Sequence, residues 1–440
     1  MHDVSVVAVT GLQAGDEGKG AITYKLCGRA GADIRFNGGP NAGHRVYYEA
    51  GKSFSFHQLP SGMLYDISNV MELGMVVNPF LLNKELSDLR KEGLERGTLY
   101  INELAHLILP AYVMLDQGTD FRDKDKRTST GTGIKWAYLM KAARLGMRMG
   151  DLVSRDEAVE KRVENNLAFL RPHLEGIGIG DRGFRELRDK TYAVFDEAMG
   201  FGEHITQPSK IRELYEDVLY GNKLILGEGA QGTLIDVDFG QYPAVTSSQC
   251  TARGIRSGSM ISPKAEIKVL GVTKPYVTRA GTGALPTRMN GETEEWVRKR
   301  GGEHGTTTGL ERMVGWLDLV QLKEAAEVNG VDWVALTKLD VLAGINPLRY
   351  CAGYEMNGKP VPYQYVNDVQ EKVRPVYEDI PGFPEVEGAT DFEELPSDAK
   401  RIVEMVEDEI GRPIVYIGTG KDPGQYILRG EGTNLFPKGQ

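Results

Sequence analysis

Two carboxylates, a lysine and a histidine stand among glycines near the start of this chain, and their spacing suits transfer of a charged group. In Gly15-Asp16-Glu17-Gly18-Lys19-Gly20, glycines free backbone N–H groups and Lys19 adds an ammonium, a combination that can cradle phosphate. Asp16 or Glu17 would supply a built-in base. A second glycine loop, Asn37-Gly38-Gly39-Pro40-Asn41-Ala42-Gly43-His44, permits close backbone approach and ends in an acid–base group. A substrate held between the loops would have a proton donor or acceptor on each side. The strict phosphate-loop pattern is not met, because no glycine stands five residues before Gly18 and Gly20 follows Lys19 where Ser or Thr is required. A tight strand-to-helix turn is the competing reading of the first loop.

The elements that must position these loops can be read from the apolar pattern. Val4 to Val9 is short, β-branched and uninterrupted, as in a buried strand of a parallel sheet. Lys52 to Pro60 and Val70 to Pro79 alternate apolar runs with turn residues and are read as a continuation of that sheet. Leu82, Leu86 and Leu89 mark one face of a surface helix over 80–91. From about 105 to 217 the composition turns to Leu, Ala, Arg, Lys and Glu, which predicts a mainly helical insertion. It contains Thr128-Ser129-Thr130-Gly131-Thr132-Gly133, either a phosphate-holding loop or a polar connection. Strands return at Lys223 to Leu226, Ile267 to Val272, Trp333 to Leu336 and Pro413 to Ile417. Three of them run into polar or glycine loops: Gly227 to Thr233, Thr337-Lys338-Leu339-Asp340 and Gly418-Thr419-Gly420. Ligands of open α/β sheets bind beyond such strand ends. Lys338 and Asp340 have the spacing of a guanine reader, although the tripeptide is common and, by itself, is more often a surface ion pair. The predicted fold is α/β: one large domain over 1–440 with a central, mostly parallel sheet, a phosphate-binding glycine loop and an inserted helical region.

Composition narrows the function classes. The 440 residues can bury a large core, and the net charge of -10 argues against a surface that grips nucleic acid. No apolar run reaches the length of a membrane span and no signal peptide is evident, so a cytoplasmic protein is expected. Cys27, Cys250 and Cys351 lack metal-ligand spacing and are expected as buried fillers.

In order and spacing the motifs resemble those of the adenylosuccinate synthetase family from about Val6 to Leu428. The match includes Gln13, Gly15 to Gly20, Gly38 to His44, His57-Gln58-Leu59-Pro60-Ser61-Gly62, Glu228 to Thr233, Tyr242-Pro243, Val245-Thr246-Ser247-Ser248, Gly315-Trp316-Leu317-Asp318 and Thr337 to Asp340. The resemblance implies a GTP-dependent carbon–nitrogen ligase that joins aspartate to C6 of inosine 5'-monophosphate, giving adenylosuccinate, GDP and phosphate. It implies Asp16, His44 and Lys19 as catalytic residues, and Mg²⁺ held by Asp16 and the Gly43 carbonyl. Asn41, Thr130, Gln231 and Thr246 would contact the purine monophosphate, and Arg144 would reach the nucleotide of a neighbouring subunit in a homodimer. Lys141 matches a further active-site lysine. GTP would be bound by Gly15, Glu17, Gly18, Lys19, Gly20, Gly43, Arg312, Lys338, Asp340, Gly418 and Gly420, and the amino acid by Thr306, Thr307, Thr308 and Arg312.

The sequence departs from the family pattern where the amino acid should bind. Leu310 and Thr132 stand in place of arginines, Arg45 replaces a small hydroxyl residue, and Ala21 a lysine. A charge-assisted bond to a carboxylate is worth about 1.5 to 3 kcal/mol, so the two lost arginines leave aspartate binding weaker by about one to four powers of ten unless Arg312, Arg45 or Arg279 compensates. Two alternatives follow. One is a relative with a changed substrate, taking (d)GMP to a 2-aminoadenylosuccinate or using an amine other than aspartate; the other is a non-catalytic nucleotide-binding protein.

Overall fold

A ten-stranded sheet forms the centre of the molecule, in a computed structural model that describes residues 5–120, 129–305 and 311–437. Its strands in chain order are β1 (Val6–Gly11), β2 (Ala30–Arg35), β3 (Ser68–Met71), β4 (Thr98–Asn102), β5 (Ile205–Thr206), β6 (Leu224–Glu228), β7 (Ile267–Thr273), β8 (Trp333–Leu336), β9 (Ile414–Gly418) and β10 (Tyr426–Leu428). Across the sheet they run β10-β9-β8-β7-β1-β6-β2-β3-β4-β5. Only the edge pair β9–β10 is antiparallel. The β-branched run of β1 is buried throughout because it lies in the middle, with Ala8 opposite Gly227 of β6 and Val269 of β7.

Parallel pairing puts the carboxyl ends of β1, β2, β6, β8 and β9 along one rim. The loop from Gln13 to Gly20, the loop from Asn37 to His44, the Gly229 to Thr233 turn, Lys338 with Asp340, and Gly418 to Gly420 all issue from that rim. Local sequence explains the supporting helices. Asn78 caps the helix Pro79–Lys91 by accepting from the N–H groups of Phe80 and Leu81, and Leu82, Leu86 and Leu89 turn their shared face into the core.

Residues 105–217 contain the helices Pro110–Asp120, Ile134–Ala142, Glu157–Gly176 and Asp181–Glu197, which pack into a hydrophobic cluster shared with the helix Pro79–Lys91, β4 and residues 46–77. They also contain the short edge strand β5, and a last helix, Pro208–Tyr220, lies against β2, β4 and β6. Lys52 to Pro60, read above as a continuation of the sheet, departs from it. Lys52–Phe56 pairs with His44–Glu49 in a separate hairpin, because the Ala50-Gly51 turn, with Gly51 at φ +72°, closes the two segments on each other. Val76–Val77 likewise pairs with His106–Leu107 outside the main sheet, whereas β3 is within it. The three cysteines are free and buried. Among the described residues no helix is long and apolar enough to cross a membrane.

Candidate active site

The first loop is built around its own glutamate. Glu17 is fully buried, and its Oε1 accepts from the N–H groups of Gln13 at 3.1 Å and Gly15 at 2.9 Å, while Oε2 pairs with Lys19 Nζ at 2.6 Å. The carboxylate thus occupies the loop as an internal anion and fixes the ammonium of Lys19. Gly18 at φ +92° starts the helix Lys19–Cys27 with no side-chain cap, so the helix N-terminus is left for a ligand. Asp16, at φ +64°, projects from the loop with its side chain about 31 % exposed. Strain at a non-glycine residue of this kind is typical of a site held for function.

His44 reaches the same place from the second loop. A Cβ on Gly20 would lie 2.6 Å from the His44 Cβ, so the two loops meet only because position 20 is glycine. His44 Nδ1 hydrogen-bonds the Glu228 carboxylate, which also accepts from Ser61 Oγ at 2.7 Å and Ser61 N–H at 2.8 Å. Burial alone would raise the Glu228 carboxyl, but the hydrogen bond from His44, the Arg35 charge and the Ser61 N–H hold it below the usual carboxylate range. Burial lowers the pKa of His44, partly opposed by Glu228, so the ring is poised as a neutral imidazole with its orientation set. Glu228 was legible as part of a motif; its service to His44 was not, because β6 brings it 184 residues away from its partner.

A second buried carboxylate gathers the cations. Glu303 is fully buried; its Oε1 meets Lys338 Nζ at 2.7 Å, Lys274 Nζ at 3.2 Å and Tyr276 OH at 2.6 Å, and its Oε2 meets Arg312 Nη1 at 2.6 Å. Arg312 Nε in turn lies 2.8 Å from Asp16 Oδ2, as an ion contact without hydrogen-bond alignment. Burial opposes ionisation of Glu303, but Lys274, Lys338 and Arg312 hold its pKa well below the usual carboxylate range. Burial depresses Lys274 to about 8, with Glu303 working the other way. Lys338 is therefore no surface ion-pair partner of Asp340. The sequence reading missed Glu303 and Lys274; a carboxylate two residues before a Gly-Thr-Thr-Thr loop was the only hint.

Thr337 to Asp340 and Gly418 converge with the loop from Gly15 to Gly20. Thr337 Oγ1 donates to the Glu17 carbonyl at 2.6 Å, and a Cβ on Gly418 would lie 3.3 Å from the Lys338 nitrogen. Asp340 is buried, with its pKa raised chiefly by that burial. Gly420 carries the Gln425 side chain, which a Cβ would strike at 2.1 Å.

On the opposite side the polar groups are unfinished. Gln231, at φ +58°, has both side-chain amide atoms buried without a hydrogen-bond partner among the described residues, and its Oε1 would lie 2.9 Å from a Cβ on Gly38 of the second loop. Asn37 ties that loop to Ala230 through bonds of 2.9 and 3.2 Å. Asn41 Oδ1 accepts from Gly39 N–H at 3.2 Å, and Thr246 is half-buried beside Ile235. Thr130 and Thr132 share a hydroxyl contact of 2.8 Å. Arg144, at φ +62°, is exposed just past the helix Ile134–Ala142.

Comparison with known proteins agrees with this assembly. The family model described as adenylosuccinate synthetase matches residues 8–427. The chain belongs to the adenylosuccinate synthetase family. The adenylosuccinate synthetase of Halothermothrix orenii is 39 % identical over 431 residues, covering 97 % of this chain and 99 % of the relative. That of Mycobacterium marinum is 38 % identical over 427 residues, covering 96 % and 98 %. The fully ligated structure of the Plasmodium falciparum enzyme superposes with a TM-score of 0.86 at 33 % identity, over 97 % of this chain and all of the other. A cyanophage S-2L succinoaminodeoxyadenylate synthetase, solved with dGMP and with dATP as an energy donor, matches at a TM-score of 0.60 and 18 % identity over 97 % and 95 %, which shows the shared fold. The family is one of ligases of purine biosynthesis.

Of the departures from the family pattern, Leu310 and the loop residues Thr306, Thr307 and Thr308 lie outside the described residues, as does Thr128. Arg45 is exposed on the hairpin, where its Nε is 3.4 Å from Ser55 Oγ. Arg279 is buried and donates to the Gln241 side chain and, at 2.6 Å, to the Ala244 carbonyl, so its guanidinium is already committed in part to the protein. For Mg²⁺, the partly exposed Asp16 carboxylate fits: this ion takes one or two carboxylates and fills its other positions with water and phosphate oxygens. Among the described residues no cluster of three or more His, Cys, Asp and Glu side chains offers an all-protein metal cage.

Proposed function

We propose that this chain is a GTP-dependent ligase that activates the 6-oxo group of inosine 5'-monophosphate as a phosphate ester and replaces it with the amino group of aspartate. The observation that carries the reading is the buried Gln231 amide beside the second loop, which has no hydrogen-bond partner among the described residues. Buried polar atoms without partners are rare, and a purine monophosphate between Asp16 and His44 would satisfy them.

Asp16 takes the N1 proton, which makes O6 nucleophilic toward the γ-phosphorus of GTP. A new O6–P bond forms as the bond to the β–γ bridging oxygen breaks and GDP leaves. His44, turned by Glu228, hydrogen-bonds the charge that develops at O6. Lys19 and the free N–H groups at the start of its helix neutralise the transferring group. Aspartate nitrogen then attacks C6, and the C6–O bond breaks to release phosphate. Mg²⁺, when bound at Asp16 and the Gly43 carbonyl, would screen charge between the phosphate oxygens. Lys338, Asp340, Gly418 and Gly420 receive the guanine, and residues 306–308 with Arg312 receive the amino acid. Arg144, exposed just past the helix Ile134–Ala142, serves the monophosphate of a second subunit in a cytoplasmic homodimer.

Phosphate release, followed by product mass, across IMP, dIMP, GMP and dGMP against aspartate, other amino acids and no amine tests the assignment. Turnover confined to IMP and aspartate supports it. Turnover with dGMP, or with another amine, makes the arginine replacements Leu310 and Thr132 specificity determinants instead. A protein that binds GTP without turnover under every combination is the non-catalytic reading.

A further inference from the structure

Glu303 matches no phosphate- or base-binding motif, yet its two oxygens face two different parts of the site. Oε1 holds Lys338 from the base corner, together with Lys274 and Tyr276 beneath it; Oε2 holds Arg312, whose Nε contacts Asp16. Lys338 also donates to the Gly301 carbonyl at 2.9 Å, and the Arg312 N–H donates to the Glu303 carbonyl at 3.1 Å, so backbone and side chain bind the same pair. Three cations lie within salt-bridge distance of one buried carboxylate. Neutralising that buried carboxylate would leave the three cations facing one another without a counter-charge, and their side chains would separate.

We propose that Glu303 is a positioning residue that couples occupation of the base pocket at Lys338 and Asp340 to the setting of the Asp16 carboxylate through Arg312. A base that packs on the Lys338 stem keeps the ammonium seated on Oε1. That contact leaves Oε2 free to hold Arg312 in one position, aimed either at Asp16 or at an incoming phosphate. A triphosphate with the wrong base would displace Lys338, load the whole carboxylate onto Arg312 and Lys274, and shift Arg312 away from Asp16. Base choice would then be felt in turnover and not in affinity alone. The inference rests on the GTP-dependent reading of the site.

The test is steady-state kinetics of the full-length wild type, Glu303→Gln and Glu303→Asp, each with GTP and with ATP. The wild type must first turn over and prefer GTP; if it does not, the GTP-dependent reading fails and the coupling falls with it. With that established, Glu303→Gln is expected to narrow the GTP-over-ATP ratio of kcat at saturation by about 10- to 100-fold, the worth of one charge-assisted bond, and Glu303→Asp to restore part of it. A purely structural role would lower kcat with both nucleotides equally and leave the ratio unchanged, which overturns the proposal. Should Glu303→Gln fail to fold, Lys338→Met removes the part-exposed partner of Oε1 and keeps the buried charge. The coupling predicts that kcat with saturating GTP falls along with GTP preference; a rise in KM for GTP with kcat unchanged contradicts it.

Discussion

The two sides of the site are finished to different degrees. On the side read as the GTP pocket, Glu17 and Glu303 are buried carboxylates already paired with Lys19, Lys274, Lys338 and Arg312. On the side read as the monophosphate pocket, the Gln231 amide has no partner among the described residues and Arg144 extends into solvent. The first side is pre-organised by internal ion pairs, which lowers the reorganisation needed when phosphate arrives. The second is completed by its ligand and, in the proposed homodimer, by another subunit. Asp16 and His44 stand at the border, each steered by a residue from one side: Arg312 for Asp16, Glu228 for His44.

Breaking the border should have the largest effect. Asp16→Asn is expected to lower kcat by about 10⁴-fold, the upper end for a positioned proton acceptor, while GTP binding measured by calorimetry persists. Glu228→Gln keeps the shape of its pocket but frees the His44 ring, and kcat should fall by about 10²-fold with KM little changed. On the unfinished side, Arg144→Leu should raise KM for the monophosphate by about 10- to 100-fold, as loss of one charge-assisted bond would. At monophosphate well below the raised KM, mixing Arg144→Leu with Asp16→Asn protein should lift the rate above that of Arg144→Leu alone if sites are shared between subunits, and leave it unchanged if each chain works alone.

Gly20→Ala sharpens the comparison with a smaller change. The new Cβ would overlap the His44 Cβ and force the loops apart at a cost of about 1 to 3 kcal/mol, so turnover should fall by about 10-fold or more while the fold survives thermal denaturation near its usual temperature. The last effect is on stability alone and lies away from both pockets. Burial raises the Asp318 carboxyl to about 7 against the hydrogen bonds from Tyr354 and Gln321. Its folded pKa exceeds its unfolded value of about 3.9, so the stability it contributes is complete below pH of about 4 and is lost as pH rises through about 7. Asp318→Asn should flatten that fall in urea titrations across the same window.

What could be read from the chain, and what could not, follows the same division. The glycine loops, the strand runs before them and Lys338 with Asp340 are local patterns, and the parallel sheet places them together on one rim. Glu303 and Lys274 carry no local signature, because they acquire meaning only where the turn after β7 meets the end of the helix Gly291–Gly301. Lys52–Phe56, expected in the main sheet, pairs instead with His44–Glu49, because alternation shows a half-buried strand but not its partner. Within the legible loop, the role of the Glu17 carboxylate as an internal acceptor for its own N–H groups and a partner of Lys19 carries no local signature either.

In the proposed reaction, phosphate passes from the pre-organised side to the 6-oxygen of the purine on the unfinished side. The most direct measurement uses IMP labelled with ¹⁸O at C6, turned over with GTP and aspartate, with mass analysis of the released phosphate. Transfer to O6 followed by C6–O cleavage predicts that the label appears in phosphate in step with adenylosuccinate. Label retained in the purine, or phosphate released unlabelled, would contradict it.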